Sequence, residues 1–596
     1  MTEPLPSPLS VRIVRAFLCG LVFLLPLKFG TVVCVGEIGF FPLNGWEWLL
    51  TPWPPFLFPV LAGVGLVAAA WAGGPGRLPS RWLASLPLLW LALFLAAAVG
   101  LIRTTEWDYA LLFLWQLLGV FCLVTAVVLM LPADPRLKAW LMAALLAGGA
   151  LAMISGWHQV VGGGYKETLA YAEQQAQEQG GALPPQVASR LAQGRASGPF
   201  VYPNSFAAHV LLVGPLLLLG LWRLGHHFRP VRVSRILFLV GGVGLVGGAV
   251  LLSGSRAGLV GLGGGVAVAC LFQRRLRWLR IPALVVCVAV LMGGLMAINR
   301  GRTSASLEAR MGYWRGGWRM FLQHPFTGVG MGEFFPYYSR WKDPGAEDTR
   351  IPHNAAVLFT AQAGIAGGVA VLGMLMLPFV LPWLAGRWGR GTDGDGALLF
   401  AVQAGLAAWT LHALADFNMQ ISGTVATAGL LPLLLVVNSA AGPPPSGSKG
   451  WWLRAGLMLP ALLAVAGIWR WSGERHYQQL YLYHRTPNAT ILQIEHMAEA
   501  AADRLPFSPY PGLVYGRAAE ARGLTVLAAK GYEQALARAP HRGSIWYALA
   551  RTRLQRGHYQ LARQALANGI HWAPHDKQRQ ALEDRLSRDA PGIALS

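Results

Sequence analysis

What most limits the possible folds of this chain is a series of apolar runs, many of them about 18 residues or longer, the length that crosses a bilayer core. They recur from near residue 13 to near residue 471. In lipid every backbone polar group needs a partner within the protein, so runs of this kind become helices. A soluble chain of 596 residues would carry more than 13% charged residues and would not reach a mean hydropathy of +0.44. The expected fold is therefore all-α. It is a polytopic membrane helix bundle of about 12–13 spans, with a large extracytoplasmic loop and a C-terminal α-helical repeat domain. Candidate spans are 13–34, 52–73, 82–102, 109–131, 138–160, 205–224, 234–253, 256–273, 279–297, 355–385, 397–415, 420–438 and 452–471, with 355–385 reading as one tilted span.

Charge follows the same frame. A formal net charge of +22 on a membrane chain does not point to nucleic acid, because positive residues gather in cytoplasmic loops and set topology. With the N-terminus inside, each inner loop is basic: Arg77 and Arg81; Arg136 and Lys138; Arg223, Arg229, Arg232 and Arg235; Arg274, Arg275, Arg277 and Arg280; Arg387 and Arg390; Lys449 and Arg454. The opening "MTEPLPSPLSVRIVRAFLCGLVF" has no clear small-residue cleavage site and reads as a retained first span. Thirteen spans then place the C-terminus outside. The five cysteines lie in or beside apolar runs, so no disulfide framework is expected.

Two outer loops are long, about 161–204 and about 298–354. The first opens with "YKETLAYAEQQAQEQ". Up to residue 331 the second holds Arg300, Arg302, Arg310, Arg315 and Arg319 against Glu308. Arginines on the side where they hinder topology need another reason to be there. After residue 471 the composition turns Ala-, Arg- and Gln-rich with helical periodicity. Pro506, Pro540 and Pro574 are spaced by 34 residues, and Ala528 and Ala562 share that step. A period of 34 means paired helices that bury a core by stacking. Residues 1–471 are thus expected to form the membrane domain and 472–596 a repeat domain that holds a partner or a neighbouring domain.

Four outward-facing stretches carry the chemistry. "GRASGPFVYPNSFAAHV" brings Arg195, "LLSGSRAGLVGL" brings Arg256 in a tight turn, and "RMGYWRGGWRMFLQHPFTGVGMGEFF" joins a basic aromatic helix to a glycine-rich turn. "PHNAAVLFTAQAGIAGG" puts His353 and Asn354 at the mouth of a span. Guanidinium groups bind phosphate oxygens bidentately and stay charged, and they stabilise charge growing on a departing diphosphate. A histidine at a helix start can act as general base near neutral pH. Plainer readings stand beside these: snorkelling for Arg256, a solvated face for Arg310, Arg315 and Arg319, and an N-cap for Asn354. In "HALADFNMQI", Asp416 is a membrane-boundary carboxylate that suits either a functional role or pairing with an arginine.

The order of "GPFVYPNSFAAH", "SGSRAGL", "HPFTGVGMGEF", "PHNAAVLFTAQAGIAGG" and "HALADFNMQI" resembles the O-antigen ligase and polymerase superfamily over about residues 10–440. The last unit of the tail, "SIWYALARTRLQRGHYQLARQALANGIHWAP", resembles the tetratricopeptide repeat. The resemblance implies a glycosyltransferase of the bacterial inner membrane. Such an enzyme moves a glycan from an undecaprenyl-diphosphate carrier to an acceptor on the periplasmic side, with inversion and without a metal or cofactor. It implies that Arg195 and Arg256 meet the carrier diphosphate and that His353 activates the acceptor hydroxyl. Arg310, Arg315, Arg319, Asn354 and Asp416 are further candidates for substrate binding. Pro352 before the His-Asn pair departs from the Ala or His common in members with similar tails. The acceptor stays open: lipid A-core, another carrier-linked glycan as in a polymerase, or a protein. A transporter of polyprenyl-linked substrates is the rival of a different class, but the internal repeats and broken midplane helices it should show are not evident.

Overall fold

The computed structural model describes residues 8–33, 41–72, 85–164, 192–272, 305–387, 396–435 and 449–592, with a few isolated positions between them. Cys34, Arg77, Arg81, Arg274, Arg275, Arg277, Arg280, Cys287, Arg300, Arg302 and Arg390, most of "YKETLAYAEQQAQEQ" and most of the expected span 279–297 lie outside the described residues. Every regular element among the described residues is helical, apart from an isolated antiparallel bridge between Val32 and Ile421.

The membrane part contains α1 (Leu9–Lys28), α2 (Leu57–Ala72), α3 (Ser85–Ala98, extended by a 3-10 turn to Arg103), α4 (Trp107–Met130), α5 (Leu137–Val161), α6 (Pro203–Leu224), α7 (Val231–Leu252) and α8 (Arg256–Phe272). It continues with α9 (Ala305–Gln323), α10 (Phe334–Trp341), α11 (Ala355–Leu375), α12 (Leu377–Arg387), α13 (Gly396–Ala413), α14 (Ser422–Leu430) and α15 (Lys449–Val465). Eight helices among the described residues are long and apolar enough to cross a membrane: α1, α3, α4, α5, α6, α7, α11 and α13. Helices α2, α8 and the segment 422–435 are apolar but shorter. Among the described residues the run 355–385 is divided between two helices.

That run divides at Met376, just before Pro378, which has no N–H to donate to the helix ladder. The carbonyl of Pro378 instead accepts from Gln403 Nε2 at 3.0 Å. Within α11, Gly364 adopts φ 64° and ψ −154°, a region open in practice only to glycine. That break admits the turn after α9, so that Ile365 N donates to Pro325 O at 2.8 Å and Val329 N to Ala361 O at 2.9 Å.

The centre of the bundle is α4, with 89% of its apolar window buried, together with α14, all of whose residues are buried. Between α13 and α14 the chain passes through irregular backbone and a short 3-10 turn, Asn418–Gln420, buried in the protein, where its polar groups need protein partners. It finds them on α4 and in the chain just after α1. Val33 N donates to Gln420 O at 2.9 Å, Gly423 N to Phe29 O at 2.9 Å, and Gln116 Nε2 to Met419 O at 2.6 Å.

The tail stacks α16 (Arg470–Tyr483) on α17 (Ile491–Arg504), α18 (Tyr510–Ala521) on α19 (Thr525–Leu536) and α20 (Gly543–Gln555) on α21 (Tyr559–Trp572), closed by α22 (Gln578–Asp589). Thr525 and Tyr559 start equivalent helices 34 residues apart, and Ala528 and Ala562 are buried where each pair closes. The stack does not hang free. In the turn before α20, Arg542 grips Glu106 with two bonds of 2.7 and 2.6 Å, and His541 Nδ1 lies 2.9 Å from Glu333 Oε2. Arg470 pairs with Asp108 at 2.7 Å, and Trp572 packs edge-on against Tyr337.

Candidate functional site

One end of the bundle gathers residues from five separate stretches around Asp416. This carboxylate is 1% exposed and follows α13 in the interior segment described above. Its Oδ2 accepts from Asn204 Nδ2 at 2.6 Å and lies 3.7 Å from Arg310 Nη2. Its Oδ1 accepts from the Phe417 backbone N–H at 2.8 Å and lies 3.5 Å from His353 Nδ1. The last distance is an ion-pair contact rather than a well-formed hydrogen bond. Burial alone would push the Asp416 carboxyl up. The neighbouring His353 and His412 and the Phe417 N–H more than offset it and hold the group well below the usual carboxylate range.

His353 stands at the threshold of α11 with φ 51°, the left-handed region that a non-glycine residue occupies only when its surroundings fix it there. The ring lies between Tyr313 (6.0 Å, stacked) and Phe417 (4.9 Å, edge-on), with 26% of the side chain exposed. Trp314 Nε1 holds the Pro352 carbonyl at 3.1 Å, and Asn354 fixes the other side. Asn354 Oδ1 accepts from Val357 N at 3.0 Å, and Nδ2 donates to Leu414 O at 2.8 Å. Both ends of that amide are engaged in the fold, so Asn354 is a helix cap that ties α11 to the Asp416 segment.

The arginines separate into distinct roles. Arg195 donates through Nε to Ser253 O at 2.7 Å and through Nη2 to Asn204 Oδ1 at 2.9 Å. It thereby holds the turn between α7 and α8, where Gly254 has φ 61° and a Cβ would meet Arg195 Nε at 2.9 Å. Ser255 Oγ in the same turn lies 3.3 Å from His412 Nε2, and His412 Nδ1 lies 3.0 Å from Asn418 Oδ1. Arg256 projects from this fixed turn. It is exposed and makes no ion pair among the described residues. Arg310 joins the Asp416 cluster. Arg315 and Arg319 do not: five and nine residues further along α9, they point to another face and line a cavity of about 620 Å3 with Trp314, Trp318, Trp341 and Lys342. The glycine-rich turn is likewise structural. Met331 N bonds Gly100 O at 3.2 Å, and Gly332 N bonds Gln362 Oε1.

Sequence reasoning missed Asn204, the bridge between Arg195 and Asp416. Its signal lay in "VYPNS", where an amide follows the proline that opens α6. It also missed Tyr313, whose hydroxyl is pushed up to about 12, chiefly by burial and then by Glu347, and which remains a neutral neighbour of His353. Among the described residues no group of three His, Cys, Asp or Glu side chains is placed to hold a metal ion.

Comparison with known families agrees with this arrangement of motifs. Residues 241–372, which include the Arg256 turn, Arg310 and the His353-Asn354 pair, match the O-antigen ligase family model. Residues 519–586 match a tetratricopeptide repeat model. No curated protein matches the chain. The family match supports a glycan-transfer enzyme, and the apolar helices a multi-pass membrane protein. The chain is an O-antigen ligase-like protein with C-terminal tetratricopeptide repeats.

Proposed function

We propose that the protein transfers a glycan from an undecaprenyl-diphosphate carrier to an acceptor hydroxyl at the periplasmic face of a bacterial inner membrane. The observation that carries this reading is the convergence of Asn204 (itself held by Arg195), Arg310 and His353 on one buried carboxylate, Asp416, near the turn that bears the exposed Arg256.

Asp416 faces Nδ1 of His353 and orients the ring, leaving Nε2 to accept the acceptor's proton. The freed oxygen attacks the anomeric carbon, the bond from that carbon to the diphosphate oxygen breaks, and polyprenyl diphosphate departs. A single displacement of this kind inverts the anomeric centre. Arg256 is the arginine best placed to meet the departing charge, because its turn is fixed and its guanidinium is exposed. Arg195 acts mainly by holding that turn. Arg310 balances Asp416 and lies at the edge of the cluster.

A protein acceptor is the second reading. A cleft of about 600 Å3 between α10 and the repeats, lined by polar residues including Lys342, Asp348, His541, His575 and Asp576, favours it. The deciding experiment is deletion of the gene followed by parallel profiling of surface polysaccharide, lipid-linked glycans and glycoproteins. Loss of one product with accumulation of its carrier-linked precursor identifies donor and acceptor. Unchanged profiles in all three fractions overturn the reading.

A further inference from the structure

We propose that the C-terminal end of α9 is a membrane anchor. Leu322 and Phe326 enter the outer leaflet, and Trp318 sits between Arg315 and Arg319 at the level of the lipid phosphates.

Three observations carry the inference. First, Trp318 and Leu322, four residues apart on one face of α9, are 57% and 61% exposed, and Phe326, in the turn that follows the helix, is 77% exposed. Large apolar side chains exposed together in this way mark an interaction surface.

Second, the face is continuous with a lipid-facing surface. The turn carrying Phe326 enters the break in α11, where Ile365 N bonds Pro325 O at 2.8 Å. Directly below, Ile365, Val369, Leu372 and Met376 are 54%, 65%, 48% and 48% exposed along the outer side of a membrane-spanning helix. The level is fixed independently. The glycine-rich turn that follows bonds Gly100 through Met331 N at 3.2 Å, and Gly100 lies near the end of the apolar helix Ser85–Arg103.

Third, the charges are ordered by height. At 1.5 Å per residue, Arg319 and Arg315 stand roughly 5 and 10 Å above Leu322 along the helix axis, about where headgroup phosphates lie relative to the hydrocarbon edge. Both are exposed. Further up, Arg310 reaches Asp416 and Trp314 reaches Pro352. An apolar tip below arginines, with tryptophan between them, is the pattern of a segment seated in the bilayer interface. The occupant of this surface is therefore lipid. An acidic glycan in the cavity beside Arg315 and Arg319 is the rival occupant, because tryptophans and guanidinium groups also suit an anionic sugar.

The test uses the full chain in liposomes, with its five cysteines replaced and insertion confirmed. A nitroxide is placed by Phe326→Cys, by Leu322→Cys or, as a water-exposed control at the other end of α9, by Ser306→Cys. Dissolved oxygen should relax the labels at 326 and 322 several-fold more than a water-soluble nickel chelate does, and the order should reverse at 306. Arg315→Glu with Arg319→Glu should reduce the contrast at 326, because carboxylates repel lipid phosphate. Nickel access at 326 equal to that at 306 overturns the proposal. So does shielding of the 322 label from nickel by a soluble acidic oligosaccharide, with no preference for oxygen.

Discussion

Replacing Arg542 by methionine should loosen the repeat domain from the membrane domain by about 3–5 kcal/mol, the usual cost of removing one partner of a buried ion pair. Arg542 and Glu106 are each 7% exposed at the side chain, and two bonds of 2.7 and 2.6 Å join them. Burial works against the guanidinium charge, but Glu106 and Tyr510 hold its pKa well above the ordinary arginine value, so Arg542 stays charged. Arg542→Met keeps most of the volume and leaves Glu106 without its counter-charge. At about 1.4 kcal/mol per tenfold, local opening at the turn before α20 becomes roughly a hundred- to several-thousandfold more frequent. Hydrogen exchange of residues 541–547 in nanodiscs should accelerate accordingly. Adding Glu106→Leu removes the orphaned carboxylate and should restore most of the protection, since a buried pair exchanged for apolar residues is often nearly neutral. If Arg542→Met exchanges within about threefold of wild type, the pair is not what secures the domain. If the double variant opens as readily as the single one, the stranded carboxylate was not the source of the cost.

Arg256→Lys should lower transfer about a hundredfold with insertion intact, because lysine keeps the charge and loses the planar fork; near-wild-type turnover in a purified assay would return Arg256 to a snorkelling role. His353→Ala should lose about a hundred- to ten-thousandfold in turnover with carrier affinity nearly unchanged, and Asp416→Asn should lower turnover in the same direction, both read as kcat against carrier binding. Gly364→Ala should cut the yield of folded protein in detergent, since the backbone conformation alone costs alanine roughly 1–3 kcal/mol and its Cβ would meet the Phe326 backbone at 2.5 Å; a normal monodisperse yield would refute the break in α11. An alkaline phosphatase fused after Ser596 should be active, and an inactive fusion would place the repeats and the site on the cytoplasmic side.

What the sequence made legible was what local periodicity records. Apolar run length set the helical membrane fold, the 34-residue step set the repeats, and Asn354 read as a cap from its place before a span. The split among Arg310, Arg315 and Arg319 was present too, because steps of five and nine residues leave Arg310's helical face. Other features were not legible, because their partners are distant in the chain. Asp416 meets Asn204 across 212 residues, and Glu333 meets His541 across 208. Nothing local marks Glu106 as the partner of Arg542; the tail was expected to hold a partner or a neighbouring domain, and the sequence did not say that the membrane domain is a neighbour it grips. The run 355–385 looked unbroken because a glycine in a rare backbone region leaves no trace in an average of hydropathy.

The pairing of Glu106 with Arg542 also has a history in time. The carboxylate is translated 436 residues before the guanidinium that neutralises it, and Glu333 precedes His541 by 208. The 3-10 turn Ala466–Trp469 joins the last apolar run, α15, directly to α16, so the repeats can reach those carboxylates only after that run has taken its place in the bilayer. Docking is thus the closing event of biogenesis. A chain that stops early carries unmatched acids at its surface, and a finished one has them covered.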